Sequence, residues 1–387
     1  MYVTRLQFHN YRNLADGEIH PHQNIHVIYG ENAQGKTNLL EALWLFTGGH
    51  SFRGSKDGEI PRIQPDTGRN ASDCTLTLDF FSEGRAQTAQ LMLSKGRRRC
   101  KINGIEGKSG VDLVGKLCAV IFSPEHLQLV KNGPGMRRNF VDGAICQLYP
   151  GYARTLSLYR RSLQQRNALL KEIPRNASLN DTLEIWDTRL AKYGSQIMCR
   201  RAAYLRKLAP VVAEIYRGIS GNREDMHLQY QVSLLESLQD ANRPLPELDS
   251  AHEGEIQRLM GEQLAKSRSL DLKAGFTKIG AHRDDLEIQL NRLSARLFAS
   301  QGQQRSVVLA MKLSEARLLS ENRDDPPLIL LDDVMSELDT GRQDYLLNHL
   351  HQQQVFITCC VPETVQLMTQ GKKFHVDNGM VIDEGCL

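Results

Sequence analysis

Residues 30–37 read Gly30-Glu31-Asn32-Ala33-Gln34-Gly35-Lys36-Thr37, a full match to G-x-x-x-x-G-K-[ST]. In such a loop successive backbone N–H groups turn inward and cradle phosphate oxygens, and a helix beginning there adds its positive dipole end. Lys36 would reach the β- and γ-phosphates of a nucleotide, and the Thr37 hydroxyl would coordinate Mg²⁺. A surface turn is the bland reading of these residues. Context outweighs it, because a β-rich run precedes the loop and helix formers follow it.

Leu328-Ile-Leu-Leu331-Asp332-Asp333 offers the complementary acids. A buried strand ending in two carboxylates delivers them to the edge of a sheet, where ligands of α/β folds bind. Asp332 is the natural Mg²⁺ partner of Thr37, and Asp333, pointing elsewhere, is the candidate to orient an attacking water. Alone, the pair would be an ordinary strand ending. A third element, Ser300-Gln-Gly302-Gln303-Gln304-Arg305, opens a helix and offers a second set of helix-start N–H donors to an anion. By itself it is as readily a simple N-cap. Two phosphate-binding helix starts so far apart in one chain suggest a site shared between two molecules.

These residues need a frame. Asn24-Ile-His-Val-Ile-Tyr29 predicts the strand before the loop, and residues 38–46 the helix after it, closed by Gly48-Gly49. Thr75–Phe80, Gln87–Leu93 and Arg98–Ile102, separated by Ser82-Glu-Gly84 and Ser94-Lys-Gly96, predict an antiparallel meander with tight turns. From about residue 123 to 275 the pattern turns helical, with long helices at Tyr152–Ile173 and Leu183–Ile219. Pro174, Pro210, Pro244 and Pro246 mark breaks or kinks there. Apolar runs at Pro327–Leu331 and Gln354–Thr358 predict parallel strands buried on both faces, with helices at 303–320 and 341–353.

Composition narrows the class. A chain of 387 residues, 41% hydrophobic and 24% charged, is ordinary globular material and excludes disorder or a fibrous repeat. Net charge is only +3, so any nucleic-acid surface must come from local clusters. Met1-Tyr-Val-Thr-Arg-Leu-Gln carries charge where a signal peptide needs an apolar run, and no run of about 18 apolar residues marks a membrane span. The eight Cys include no C-x-x-C, which argues against zinc knuckles and disulfides and fits a reducing cytoplasm. His20, His22 and His26 fall in a polar turn, where a metal site is the less favoured reading.

Taken together, the P-loop followed by Asn38, the Ser-x-Gly-Gln segment, the Asp-Asp strand and Ser336-Glu-Leu-Asp339 resemble the ATP-binding-cassette heads of chromosome-maintenance (SMC) proteins. More closely, the chain resembles the RecF family of bacterial recombination mediators. Phe8-His-Asn-Tyr-Arg12-Asn13, Phe122-Ser-Pro-Glu-His-Leu-Gln-Leu-Val-Lys131-Asn-Gly-Pro134, Arg137-Arg138-Asn-Phe-Val-Asp142, Gln165-Arg166-Asn167-Ala-Leu-Leu170 and Gly280-Ala-His282-Arg283-Asp284-Asp285 carry that resemblance along the whole chain. Ala281 stands where the family usually has Pro. Thr358 and Cys359 stand where cassette transporters place a switch histidine, which leaves the γ-phosphate sensor open. Asp333 is shorter than the usual Glu, consistent with slow hydrolysis.

The resemblance implies an α/β fold: a P-loop cassette-type ATPase head, its mixed sheet joined to an antiparallel meander, with an inserted helical lobe. Its expected parts are residues 1–122 and 276–387 as the two halves of the head and 123–275 as the arm. It further implies that Ser300, Gly302 and Gln303 of one subunit close over ATP held by residues 30–38 of another, with Arg12 near the phosphates and Lys36 and Asp333 as the catalytic pair. ATP would act mainly as a dimerisation switch, with weak DNA-stimulated hydrolysis. DNA gaps and single-strand/duplex junctions, RecO, RecR and help in loading the recombinase are implied partners and tasks.

For DNA itself the densest cluster is Lys95-Gly-Arg97-Arg98-Arg99-Cys-Lys101, five cations in seven residues on a hairpin. Such density suits phosphate contacts that set affinity without reading sequence, although a solvated hairpin tip explains it equally well. Arg160, Arg161 and Arg166 on the first long helix form a second candidate. The competing function is the ATPase subunit of a membrane transporter, which would share the nucleotide chemistry. The basic-studded helical insert between Gly35 and Gly302 favours the DNA reading.

Overall fold

The computed structural model describes residues 1–64, 68–107, 110–238, 247–323, 325–350, 352–360 and 371–386. Pro244 and Pro246, expected to mark breaks, lie outside the described residues. The chain divides into two compact units. The first comprises Met1–Gln128, Gly218–Ser220 and Gln301–Leu387, and the second Leu129–Arg217 and Gly221–Ser300. Residues 276–300, assigned from sequence to the head, therefore fall in the second unit.

Two six-stranded sheets build the first unit. One is antiparallel, in the order Gly17–Ile19, Tyr2–His9, Asp73–Ser82, Arg85–Ser94, Arg97–Ile102, Ile105–Gly107. Strand Asp73–Ser82 shows why it forms: Cys74, Leu76, Leu78 and Phe80 are buried at every second position while their neighbours are not. The hairpin to Arg97–Ile102 turns through Lys95 and Gly96, both at positive φ (49° and 70°), as a two-residue turn matched to strand twist requires.

The other sheet runs Met380–Cys386, Gly371–Asp377, Ile25–Tyr29, Val355–Cys359, Leu328–Asp332, Ala119–Phe122. Every pairing in it is parallel except the outer hairpin Gly371–Asp377 with Met380–Cys386. All five residues of Leu328–Asp332 and of Val355–Cys359 are buried, as expected for strands covered on both faces.

Helix Lys36–Leu45 is buried on nearly all sides. Its Leu39, Leu40 and Leu43 share one core with Leu6 and Phe8 of the antiparallel sheet and with Ile28, Leu330, Phe356 and Phe374 of the parallel one. Each such fully buried side chain contributes about 1.5–3 kcal/mol of transfer free energy. The helix after the loop is thus clamped between sheets, which fixes where its first turn can point.

The second unit carries helices Pro134–Leu148, Pro150–Glu172 and Glu253–Ala274 and most of Leu183–Ser220. Ile173 caps the helix before Pro174 as expected, but Pro210 lies inside Leu183–Ser220 and the helix runs through it. One missing N–H is tolerated in a helix of 38 residues held by its apolar stripe. A three-stranded antiparallel sheet, Leu293–Ser294, Asp285–Leu290, Met226–Gln231, also belongs to this unit and was not foreseen in the helical lobe.

Candidate nucleotide site

The loop leaves strand Ile25–Tyr29 at Gly30 and enters helix Lys36–Leu45 after Gly35. Gly30 has φ +148° and Gly35 φ +120°. A side chain at Gly30 would run into the carbonyl oxygen of Val376, and one at Gly35 would meet Leu14 Cδ2 at 2.6 Å. Both positions therefore need glycine twice over, for backbone conformation and for close approach.

Lys36 is 8% exposed and folds its ammonium back onto the loop, donating to the carbonyl oxygens of Gly30 and Glu31, the latter at 2.8 Å. Side chains brace the loop from outside. Asn13 donates to Ala33 O at 3.2 Å and accepts from Asn38 Nδ2 at 2.6 Å, and Gln34 Oε1 accepts from the backbone N–H of Asn378 at 2.6 Å. The result is a preset ring of backbone with a positive charge inside it, which can receive an anion of phosphate size.

The acids arrive at the end of strand Leu328–Asp332, separated from Ile25–Tyr29 in the parallel sheet by Val355–Cys359. Thr37 Oγ1 donates to Asp332 Oδ1 at 2.8 Å, and Thr358 Oγ1 donates to the same oxygen at 2.9 Å. Burial pushes the Asp332 carboxyl above its ordinary range. The two hydroxyls oppose that shift, while the nearby charges of Glu125 and Asp333 add to it. Asp333 itself sits at φ +52°, a left-handed conformation uncommon for a residue with a side chain. Its N–H donates to Thr358 Oγ1 at 2.9 Å and Ser336 Oγ donates to its carbonyl at 2.8 Å, so the turn out of the strand is held at both ends.

Hydroxyl and carboxylate oxygens make a hard donor set, suited to Mg²⁺ rather than to a softer metal. Among the described residues no group of three or more His, Cys, Asp or Glu is arranged to hold a metal. His20, His22 and His26 accordingly form no such cluster. His26 is buried between the rings of Phe356 and Phe374.

The residue opposite the loop is one the sequence did not single out. Thr358 is turned to Asp332 and Cys359 is buried, whereas Cys360, one position further, is exposed with its Sγ 3.2 Å from Asn32 Oδ1 and 3.9 Å from Lys36 Nζ. The strand runs on to Cys359, one residue past the predicted end, and that extra residue carries the position facing Lys36 along the chain.

Gly302 and Gln303 lie in the first turn of helix Gln301–Glu321, and Ser300, exposed, directly precedes it. Two arginines strap this helix to the segment after Asp333. Arg342 donates to Gly302 O (3.2 Å) and Ser306 Oγ (2.9 Å) while pairing with Asp339, and Arg305 pairs with Glu337.

Two arginines, Arg98 and Arg166, land elsewhere than expected, and a third, Arg12, is held by a buried carboxylate. Arg12 clasps the two oxygens of fully buried Glu41 with its Nε and one terminal nitrogen at 2.8 Å each, and its other terminal nitrogen donates to Glu59 O. Arg98 turns inward to Asp57 and Gly49 O, its side chain 7% exposed, because strand alternation puts it on the Cys100 face while Arg97, Arg99 and Lys101 share the other. Lys101 pairs with Glu106, and Lys95, Arg97 and Arg99 are exposed. Arg166 is fully buried among Asp187, Asp271 and Thr277 and cannot present charge to DNA.

Comparison with known proteins gives these observations their relatives. The model of the "RecF/RecN/SMC N terminal domain" family matches residues 2–382. The DNA replication and repair protein RecF of Acetivibrio thermocellus is 38% identical over 377 residues, covering 97% of this chain and 98% of that one. RecF of Agathobacter rectalis is also 38% identical, covering 99% and 100%. Among solved structures, the recombination mediator protein RecF of the RecFOR pathway, determined with ATP, superposes with a TM-score of 0.87 at 34% identity, covering 99% of this chain and 98% of that chain. An Smc head from Pyrococcus furiosus, at 14% identity and a TM-score of 0.56 with 100% and 96% covered, shares the fold. Among the described residues no helix is long and apolar enough to cross a membrane.

Proposed function

The chain belongs to the RecF/RecN/SMC N-terminal-domain family, and from that premise we propose that it is an ATP-switched DNA-binding protein of recombinational repair. It acts in DNA replication and repair as a recombination mediator of the RecFOR pathway. The observation that carries the nucleotide reading is the 2.8 Å contact between Thr37 and Asp332 at the foot of a glycine-shaped loop.

ATP lays its phosphates in residues 30–38. Lys36 exchanges the carbonyls of Gly30 and Glu31 for β- and γ-phosphate oxygens, a better partner for a charge held 8% exposed. Thr37 and Asp332 would hold Mg²⁺, which would supply positive charge beside the phosphates. Asp333, aimed by its own backbone turn, orients the attacking water. Cys360, with its Sγ 3.9 Å from Lys36 Nζ, would face the γ-phosphate end of the nucleotide.

Hydrolysis is the slow part and closure the purpose. A second copy brings Ser300 and the N–H groups at Gly302 and Gln303 against the γ-phosphate, forming a dimer only while ATP is intact. The Arg342 and Arg305 straps tie that helix start to the segment following Asp333, so closure and the acid turn move together. DNA gaps and junctions are engaged in the cytoplasm through Lys95, Arg97, Arg99 and Lys101, with RecO and RecR as partners. The transporter alternative finds no observation to favour it.

The direct check is nucleotide affinity of Lys36→Ala. Losing two charge-assisted hydrogen bonds should weaken ATP binding by about a hundredfold or more. Lys36→Arg should retain binding and lose hydrolysis, because a planar guanidinium cannot take the place of a compact ammonium. Undiminished ATP affinity in Lys36→Ala would remove the loop from the account.

A further inference from the structure

The second long helix of the second unit, Leu183–Ser220, carries an exposed stripe with no role in the nucleotide site. Trp186, Arg189, Tyr193, Gln196, Arg200, Ala203 and Lys207 follow one another at alternating spacings of three and four, which keeps them on one helix face over about 30 Å. All are exposed or half-exposed, and no acidic residue interrupts the series.

A solvated helix face usually interleaves charges of both signs. Here Arg189 and Arg200 of the series, and Lys192 beside it, lie over rings instead. The Arg189 guanidinium is 5.0 Å from the Trp186 ring centre, Lys192 Nζ is 5.9 Å from that of Tyr193, and Arg200 is 5.3 Å from that of Tyr149. Among the described residues none of these three cations makes a salt bridge. Each ring restrains its cation without neutralising it, so the charge stays available to an outside anion.

We infer that this face binds single-stranded nucleic acid, with Arg189, Lys192 and Arg200 on phosphates and Trp186 as a stacking surface for a base. The chemistry selects that partner: an acidic peptide would satisfy the cations but would leave the interleaved rings without purpose, whereas a single strand offers both a charged backbone and flat bases. Duplex shields its bases and needs only the cations. The inference rests on the reading that the protein binds DNA, and adds a strand-selective surface separate from the hairpin cations.

The test uses full-length protein with ATP and fluorescently labelled oligothymidylate or blunt duplex, titrated at several salt concentrations. For R189E/K192E/R200E, affinity for the single strand should drop at least tenfold and the log–log salt slope should shrink by about two, as three lost phosphate contacts predict. Trp186→Ala should weaken single-strand binding by about tenfold and leave duplex binding within twofold. ATP affinity and circular dichroism should match wild type in both variants. Wild-type single-strand affinity and salt slope in the triple variant would overturn the inference, as would a loss confined to duplex. If wild-type protein bound neither DNA, the underlying reading would fail instead.

Discussion

Thr37 Oγ1 donates to Asp332 Oδ1 across 2.8 Å, joining residues 295 positions apart in the chain. One sits on the first turn of the helix clamped between the two sheets, the other at the end of a strand in the parallel sheet. Neither can shift without disturbing a core, so the oxygen pair is in place before any ligand arrives. Preorganisation of this kind lowers the cost of binding.

Arg12 provides a test that separates architecture from ligand binding. Burial pushes the Glu41 carboxyl upward, but hydrogen bonds from Arg12, Ser51 and Tyr11 outweigh burial and hold it below its ordinary range. Arg12→Ala would strand that carboxylate, fully buried, and should cost about 3–5 kcal/mol of stability. Urea unfolding should show the loss, while ATP affinity stays within a few fold under folding conditions. Unchanged stability with lost ATP binding would place Arg12 at the phosphates.

Asp333→Asn should leave ATP bound and slow its hydrolysis by about a hundredfold or more, the scale expected for losing a general base. Side-chain size is kept and the Thr358 contact is made by the backbone N–H, so the turn should survive. Single-turnover hydrolysis measures this directly. A wild-type rate would remove Asp333 from the chemistry.

Acid sensitivity should trace in part to His26. Burial pushes its pKa down to about 4, against about 6.5 in the unfolded chain. Protonation therefore favours unfolding: the stabilisation is complete above pH 6.5 and is lost as pH falls toward 4. Stability should decline over that window by up to about 1.4 kcal/mol per pH unit from this residue. His26→Phe, which keeps the aromatic contacts with Phe356 and Phe374, should flatten the slope by about one proton in urea titrations at several pH values. An unaltered slope would place the proton uptake elsewhere.

The loop, its flanking strand and helix, the acid strand and the meander were legible because each is local, marked by a motif or by a period of two. What escaped depended on partners distant in sequence. Arg166 read as a surface cation because its carboxylates lie 21 and 105 residues away. Arg12 is claimed by Glu41, 29 residues on, and no spacing rule announces it. Arg98 was recoverable: alternation along Arg97–Ile102 puts it on the face of buried Cys100. Cys360 was missed by a single residue, because strand ends are set by pairing with the neighbouring strand and not by the apolar run itself. The sheet of Met226–Gln231 and Asp285–Leu290 was hidden by the helices between its strands.

The central claim is that ATP is read by two copies at once, and Ser300→Arg tests it most directly. One copy can hold ATP through residues 30–38 alone, so this exposed residue of the opposing helix start should be dispensable for nucleotide affinity. Closure is different, because helix-start N–H groups act on a phosphate only at hydrogen-bond range. A bulky side chain there prevents that approach even though its charge is attractive. Ligand can shift the dimer equilibrium only by its differential affinity for the closed state, so ADP, lacking the γ-phosphate, should behave on wild type as ATP does on the variant. The measurement is light scattering of wild type and Ser300→Arg with ATP and with ADP, beside a direct nucleotide titration. The account predicts dimers for wild type with ATP only, and for the variant a monomer that binds ATP as tightly as wild type. A variant that dimerises normally with ATP, or that loses ATP binding as a monomer, would contradict it.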